Sequence, residues 1–191
     1  AAAHHVETAA AILRHAGVVE VTDDIRSAKW MKLALNAAEL VPSAIMDLSI
    51  ADAAKTPGLY DIMLEAGNEA ITATLADGCT VRPIFGMTGE RAANPDTFVE
   101  TVLNELVANY ILSYSRSTIL QDWMKHRHSE VNEINGTVVR VLESAGQRAP
   151  ANQAVVEFAA EIESGTRERG IQNLEPLIAR MMELGSTLAV R

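Results

Sequence analysis

Lys29-Trp-Met-Lys32-Leu-Ala-Leu-Asn36 decides how this chain is read. Its apolar residues recur at helical spacing, and Lys32 and Asn36 stand four residues apart. In a helix both polar groups therefore leave one face, one turn from each other. Ala34, Leu35, Ala37 and Ala38 surround them with small apolar side chains. The stretch sits within a helix expected from about Ile25 to Leu40. Asp23 or Asp24 caps its first turn, and it ends near Pro42. A shorter helix is expected around Ser43 to Leu48.

The totals point the same way. Of 191 residues 48% are hydrophobic but only 4% aromatic, so the core must be built from Ala, Leu, Ile, Val and Met, which favour helices over sheets. A formal net charge of −9 argues against a nucleic-acid partner, which needs a basic face, and against an anionic membrane surface. No apolar run is long enough to span a bilayer. Cys79 is the only cysteine, so no internal disulfide can form and a reducing cytoplasm is the simplest compartment.

Outward from the central stretch, Val6 to His15 has helical spacing and stops at Gly17. Val18-Val-Glu-Val-Thr22 reads as a strand, short and β-branched. One strand makes no sheet, so it pairs with another chain or with sequence beyond this one; the second is the expectation. Leu59, Ile62, Met63, Ala66, Ala70, Ile71 and Leu75 mark one face of a helix ending at Gly78. Cys79 to Asn94 is a loop. Asn94-Pro95 starts the strongest helix, with Pro at its first position and an apolar stripe reaching Ile111 and Tyr114. Further helices are expected at Thr118 to Lys125, from Ser129 or Glu130 to Gly146, from Pro150, and from about Leu174 to Leu184. The fold class is all-α: a multi-helix domain over 23–191, preceded by a helix–strand remnant over 1–22.

Several chemistries lack their residues. No Glu-x-x-His pair is present for a di-iron bundle, and His126 and His128 lie among Lys125 and Arg127, in a positive potential that opposes a cation. A solvated basic turn describes them better than a metal site. No glycine-rich dinucleotide loop follows a strand, and no Walker loop or nucleophile elbow occurs.

The polar candidates form two strings. On an apolar helix Lys32 either snorkels at the core's edge or stands as a partly desolvated ammonium, its pKa lowered, that protonates an oxygen in a dry cleft. Asn36 either binds a substrate hydroxyl or carboxylate, or bonds a neighbouring helix. The second string runs from Thr118 through Leu120-Gln-Asp122 to Glu130-Val-Asn-Glu-Ile-Asn135-Gly136. Glu130 is a good first-turn carboxylate or a site residue. Gly136 inside a helix suggests close approach of another backbone or a ligand. Asp122 caps or pairs with Arg127. The two strings are expected to meet across a cleft.

Together these motifs resemble the C-terminal domain of the ketopantoate reductases (2-dehydropantoate 2-reductases). The likeness rests on Asp24-Ile, Trp30-x-Lys32-Leu-Ala-x-Asn36, Asp77-Gly78, Leu120-Gln-Asp122, Glu130 to Gly136, and Gly146…Pro150-Ala-Asn152. It implies a helical domain like the C-terminal domain of 6-phosphogluconate dehydrogenase, with 1–22 the end of a dinucleotide-binding domain. The activity implied is NADPH-dependent reduction of a 2-oxo acid to a 2-hydroxy acid, absent without the nucleotide domain. Lys32 would be the catalytic proton donor, Asn36 and Thr118 substrate-binding, and Glu130 a catalytic residue that also helps bind cofactor; no metal is implied. Two residues depart from the family pattern. Leu40 replaces a second substrate-binding Asn, which favours a substrate with a more apolar tail, and Thr118 replaces a Ser. The rival reading is a non-catalytic dimerisation or ligand-binding module in which Lys32 and Glu130 form a structural ion pair. A homodimer is compatible with both.

Overall fold

A computed structural model describes residues 2–188. Its helices are α1 (Ala2–Leu13), α2 (Ile25–Ile45), α3 (Ile50–Ala53), α4 (Leu59–Ala76), α5 (Glu90–Ala93), α6 (Phe98–Asn109), α7 (Thr118–Met124), α8 (Val131–Ser144), α9 (Pro150–Glu163) and α10 (Leu174–Glu183), with a short 3₁₀ turn at Ile171–Asn173 before the last. Helix α2 is the axis of the domain. Helices α4, α6, α7, α8 and α9 all pack against it, α4 most extensively. Met31, Ala34, Ala37, Ala38, Val41, Ala44 and Ile45 have no exposed surface, so only a stripe at its N-terminal half reaches solvent.

Small side chains permit this crowding. At Gly67 of α4 a Cβ would lie 2.5 Å from Val99 Cγ1 of α6 and 3.1 Å from Ala38 Cβ of α2. Val99 is β-branched and buried, so it cannot swing aside cheaply. Gly67→Ala is therefore expected to destabilise the domain by about 1–3 kcal/mol, although Ala in a helix is ordinarily worth about 1 kcal/mol over Gly. Chemical denaturation measures it; a variant more stable than the parent would contradict this packing.

Four expectations need correction. The strand at Val18 to Thr22 is irregular backbone, and no strand occurs among the described residues. β-Branched composition is not enough where no second strand offers a ladder. Pro42 does not end α2: the helix runs 21 residues through it to Ile45, absorbing the first half of the segment expected as a separate helix. Burial of Val41, Ala44 and Ile45 outweighs the one lost backbone bond, and Ser43 Oγ donates to the Glu39 carbonyl at 2.6 Å. The helix end is closed from far away in sequence, where Gly170 N and Asn173 Nδ2 donate to the Ile45 carbonyl at 2.9 and 3.2 Å. Pro95 lies in a turn rather than at the first helical position. The Asn94 carbonyl accepts from Thr97 N and Phe98 N, so α6 starts at Phe98. Finally, α6 stops at Asn109, leaving Tyr110, Leu112 and Tyr114 exposed. Tertiary burial, not periodicity, sustains a helix in water, and these side chains stay more than half exposed even though Tyr110 meets the Phe85 ring.

At Gly136 no other backbone is the nearest neighbour. The atoms nearest a Cβ there would be side chains of its own helix, Arg140 Nη1 at 3.1 Å and Asn132 Oδ1 at 3.4 Å.

Candidate active site

The start of α2 is held at several points. Asp24 accepts from Ser27 N at 3.0 Å, capping the helix. Arg82, from the loop after α4, donates to Thr22 at 3.1 Å and Asp23 at 3.2 Å and lies 3.7 Å from Asp24. Hydrogen bonding from Ser27 and the nearby arginines hold the Asp24 carboxyl below its usual range. One turn on, Trp30 Nε1 and Arg26 Nη2 both donate to Asp77 Oδ2, at 2.8 and 2.7 Å, clipping α2 to the end of α4. Trp30 and Asp77 thus fix the direction in which the next turn points.

That turn carries Lys32, whose side chain is exposed and makes no hydrogen bond or ion pair with any described residue. It lines a cleft of about 1140 Å³ whose other walls include Ile25, Ala28, Arg82, Ile84 and Met87. Asn36 is half-buried, and its amide also makes no side-chain hydrogen bond. Its alternative reading as a helix–helix contact therefore does not hold. Thr118 is exposed at the first position of α7; Ser117 does the capping, accepting from Leu120 N at 3.2 Å, so the Thr118 hydroxyl stays free. Glu130 is exposed at the N-cap of α8 and makes no side-chain cap bond.

The structure partly gathers these residues. Lys32 and Asn36 share a face of α2, and α7 and α8, which follow Thr118 and Glu130, both pack on that helix. The cleft at Lys32, however, is not lined by Asn36, Thr118 or Glu130, and on this chain it is open, not dry. The Lys32–Glu130 ion pair required by the rival reading is absent: neither residue pairs with any described group.

The turn before Glu130 is built on a residue the sequence did not single out. Glu163 accepts from Trp123 Nε1 at 3.0 Å, from Ser129 N at 3.1 Å and from the Ser129 hydroxyl, and its Oε2 lies 2.6 Å from His128 Nδ1. Burial pushes its carboxyl up, but these donors and His128 outweigh it and the net shift is downward. The basic turn is thereby tied to Glu163 immediately before Glu130. No group of three metal-ligating side chains occurs among the described residues. Asp122 contributes its carbonyl, not its carboxylate, accepting from Arg127 N at 2.9 Å.

Two of the most specific motif residues are internal. Asn135 Nδ2 donates to the Ala37 carbonyl of α2 at 3.1 Å and to Asn152 Oδ1 at 2.9 Å. Asn152 Nδ2 donates to the Ala66 carbonyl at 2.9 Å and to Glu69 Oε2 at 2.7 Å. Glu69 also accepts from Ala151 N and Asn152 N at 2.8 and 2.9 Å, serving as the cap that Ala149 cannot provide for α9. Burial pushes the Glu69 carboxyl up to about 7 against the pull of these donors. This network ties α4, α8 and α9 to the site helix.

Glu39 was also missed. It lies on α2, 6% exposed, and its Oε2 is buried without a partner. Burial raises its carboxyl to about 8. A carboxyl raised in the folded state binds its proton more tightly there than when unfolded. Its stability contribution is present in full below about 4.5 and is lost as pH rises through about 8. Glu39→Gln is expected to flatten the fall in melting temperature between these pH values and to exceed the parent above pH 8. Superimposable pH profiles would contradict the burial.

An all-helical domain with a free ammonium and a free amide one turn apart on its central helix is the class that the fold and site define. Residues 24–163 match the family described as ketopantoate reductase PanE/ApbA C terminal. The chain belongs to this family. It is similar to the 2-dehydropantoate 2-reductase of Archaeoglobus fulgidus, 26% identical over 160 residues covering 83% of this chain and 48% of that protein. It is also similar to that of Pyrobaculum aerophilum, 28% identical with 83% and 52% covered. The chain thus spans about half the length of the curated relatives it matches. Among solved structures it resembles a PanE/ApbA family ketopantoate reductase from Ralstonia eutropha JMP134, with TM-score 0.67, 26% identity, and 85% of this chain and 49% of that chain covered. It shares its fold with D-mandelate dehydrogenase, solved with NADH and anilino(oxo)acetate, at TM-score 0.70, 17% identity, and 85% and 62% covered.

Proposed function

We propose that this chain is the substrate-side half of an NADPH-dependent reductase that converts a 2-oxo acid to a 2-hydroxy acid, working with a dinucleotide-binding half. Ketopantoate, the substrate of the relatives named above, is the first candidate. The observation that carries the reading is Lys32, an unpaired cation at a cleft with the free Asn36 amide one turn on. The first 22 residues belong, in this reading, to the nucleotide-binding half. Ile12, Leu13 and Val18 expose 66%, 56% and 105% of their surface, as side chains do when the surface they pack on is elsewhere. The reaction belongs in the cytoplasm, where the lone Cys79 stays reduced.

Bound NADPH would supply the hydride. Lys32 holds the carbonyl oxygen, stabilises the negative charge that builds there, and delivers a proton from Nζ as the alcohol forms. Asn36 orients the substrate through its amide, and the Thr118 hydroxyl offers a further contact. Glu130, a free carboxylate at the start of α8, suits the hydroxyls of a ribose and orders the site. Closure by the second half would exclude the water that this chain leaves at Lys32.

The test is NADPH consumption by this chain joined to its nucleotide-binding half, with ketopantoate and a small panel of 2-oxo acids. Turnover with any of them supports the reading, and the preferred acid names the substrate. Tight NADPH binding with no turnover would overturn it in favour of a non-catalytic module.

A further inference from the structure

Helix α2 carries a stripe of polar side chains that runs from solvent into the core. At about 100° per residue Lys32, Asn36, Glu39 and Ser43 fall within roughly 60° of arc. Exposure falls along it: Lys32 is exposed, Asn36 half-buried, Glu39 6% and Ser43 0% exposed. Ser43 is satisfied by the Glu39 carbonyl. Glu39 is not, since its Oε2 is buried and makes no hydrogen bond. Helical side chains lean toward the N-terminus, so the Glu39 carboxyl covers the turn of Asn36, not the turn beyond it. An unpaired buried oxygen is costly, and this one lies on the stripe that begins with Lys32 and Asn36.

We infer that Glu39 is a specificity-determining residue of the 2-oxo acid site, its carboxyl hydrogen-bonding a hydroxyl on the end of the substrate away from the reacting carbonyl. This rests on the reductase reading above. A protonated carboxyl both donates and accepts, as a hydroxyl does, so the two are complementary. Being uncharged, it does not repel the substrate carboxylate. Leu40 alone would predict an apolar substrate tail; Glu39, its neighbour, restores a polar partner close by. A site built to bond a hydroxyl rejects an analogue lacking it far more strongly than a site that merely has room.

The experiment compares ketopantoate with trimethylpyruvate, which has the same carbon skeleton without the hydroxyl, in the enzyme carrying both halves. In the parent, kcat/KM is expected to favour ketopantoate by a hundredfold or more. Glu39→Leu is expected to raise KM for ketopantoate at least tenfold, leave trimethylpyruvate within about twofold, and leave NADPH affinity unchanged. Glu39→Gln, which keeps a donor and an acceptor, is expected to retain most of the preference. Equal losses on both substrates, or no loss on either, would overturn the inference, since a structural role cannot distinguish a single hydroxyl. An infrared difference spectrum gives a readout independent of turnover. Ketopantoate should shift a carboxylic C=O band that Glu39→Gln abolishes. Absence of that shift sinks the inference even where the enzyme is active, whereas a shift without turnover sinks the reductase reading alone.

Discussion

Lys32→Ala, made in the enzyme with both halves, is expected to lower kcat by about a hundred- to ten-thousand-fold, the usual worth of a positioned general acid. NADPH affinity should not change. The folded domain should barely notice, because Lys32 is exposed and bonds no described residue, and such surface changes stay within about 0.5 kcal/mol. Lys32→Arg separates two parts of the role. Arginine keeps the charge that attracts a 2-oxo acid but does not release a proton, so KM should recover more than kcat. A near-normal kcat in Lys32→Ala would end the proton-donor assignment. A fall in melting temperature without a fall in kcat would instead give the residue a structural role.

The largest stability effect is expected at Asn152. It is fully buried and touches three groups through its side chain: Asn135, the Ala66 carbonyl and Glu69. Asn152→Ala removes one hydrogen bond from each of the three, while Glu69 keeps the Ala151 and Asn152 backbone N–H groups and Asn135 keeps the Ala37 carbonyl. Each lost hydrogen bond is worth about 1 kcal/mol net, so with the volume vacated a loss of about 3 kcal/mol is expected. That is a large share of the 5–15 kcal/mol typical of a domain. Urea denaturation measures it, and a loss under about 1 kcal/mol would show the network to be dispensable. A double-mutant cycle with Glu69→Gln isolates the shared term, which should be non-additive because the residues lie 2.7 Å apart. Since Asn135 also bonds the Ala37 carbonyl, one residue past Asn36, a loosened network should reach Asn36 as well.

The motif residues of this chain divide by job in a way their spelling did not reveal. Lys32, Asn36, Thr118 and Glu130 are free and exposed or half-buried. Asn135 and Asn152, just as distinctive, are buried and bonded within the core. Both kinds are polar residues in helices, and a sequence does not say which face of a helix will be covered. Glu39 shows the same limit from the other side. In Ala-Ala-Glu-Leu nothing local distinguishes it, yet the packing of α2 leaves it 6% exposed. The one available signal was its spacing, seven residues after Lys32 and three after Asn36, on the same stripe.

Helix positions were legible because local terms set them. Asp24, Ser117 and Pro150 mark starts, and Gly78 and Gly146 mark ends, whatever the rest of the chain does. Low aromatic content and 3.6-residue periodicity likewise made the all-helical class a property of the sequence itself. What the tertiary structure alone decided were the choices made by burial between distant segments. It carried α2 through Pro42, stopped α6 at Asn109, and left Val18 to Thr22 without a ladder. It placed Gly67, not Gly136, at the closest helix contact. It chose Glu69 to cap a helix more than eighty residues away, and Glu163 to hold the turn before Glu130. Each outcome depends on which surfaces meet, and that energy belongs to pairs of segments rather than to any one stretch of residues.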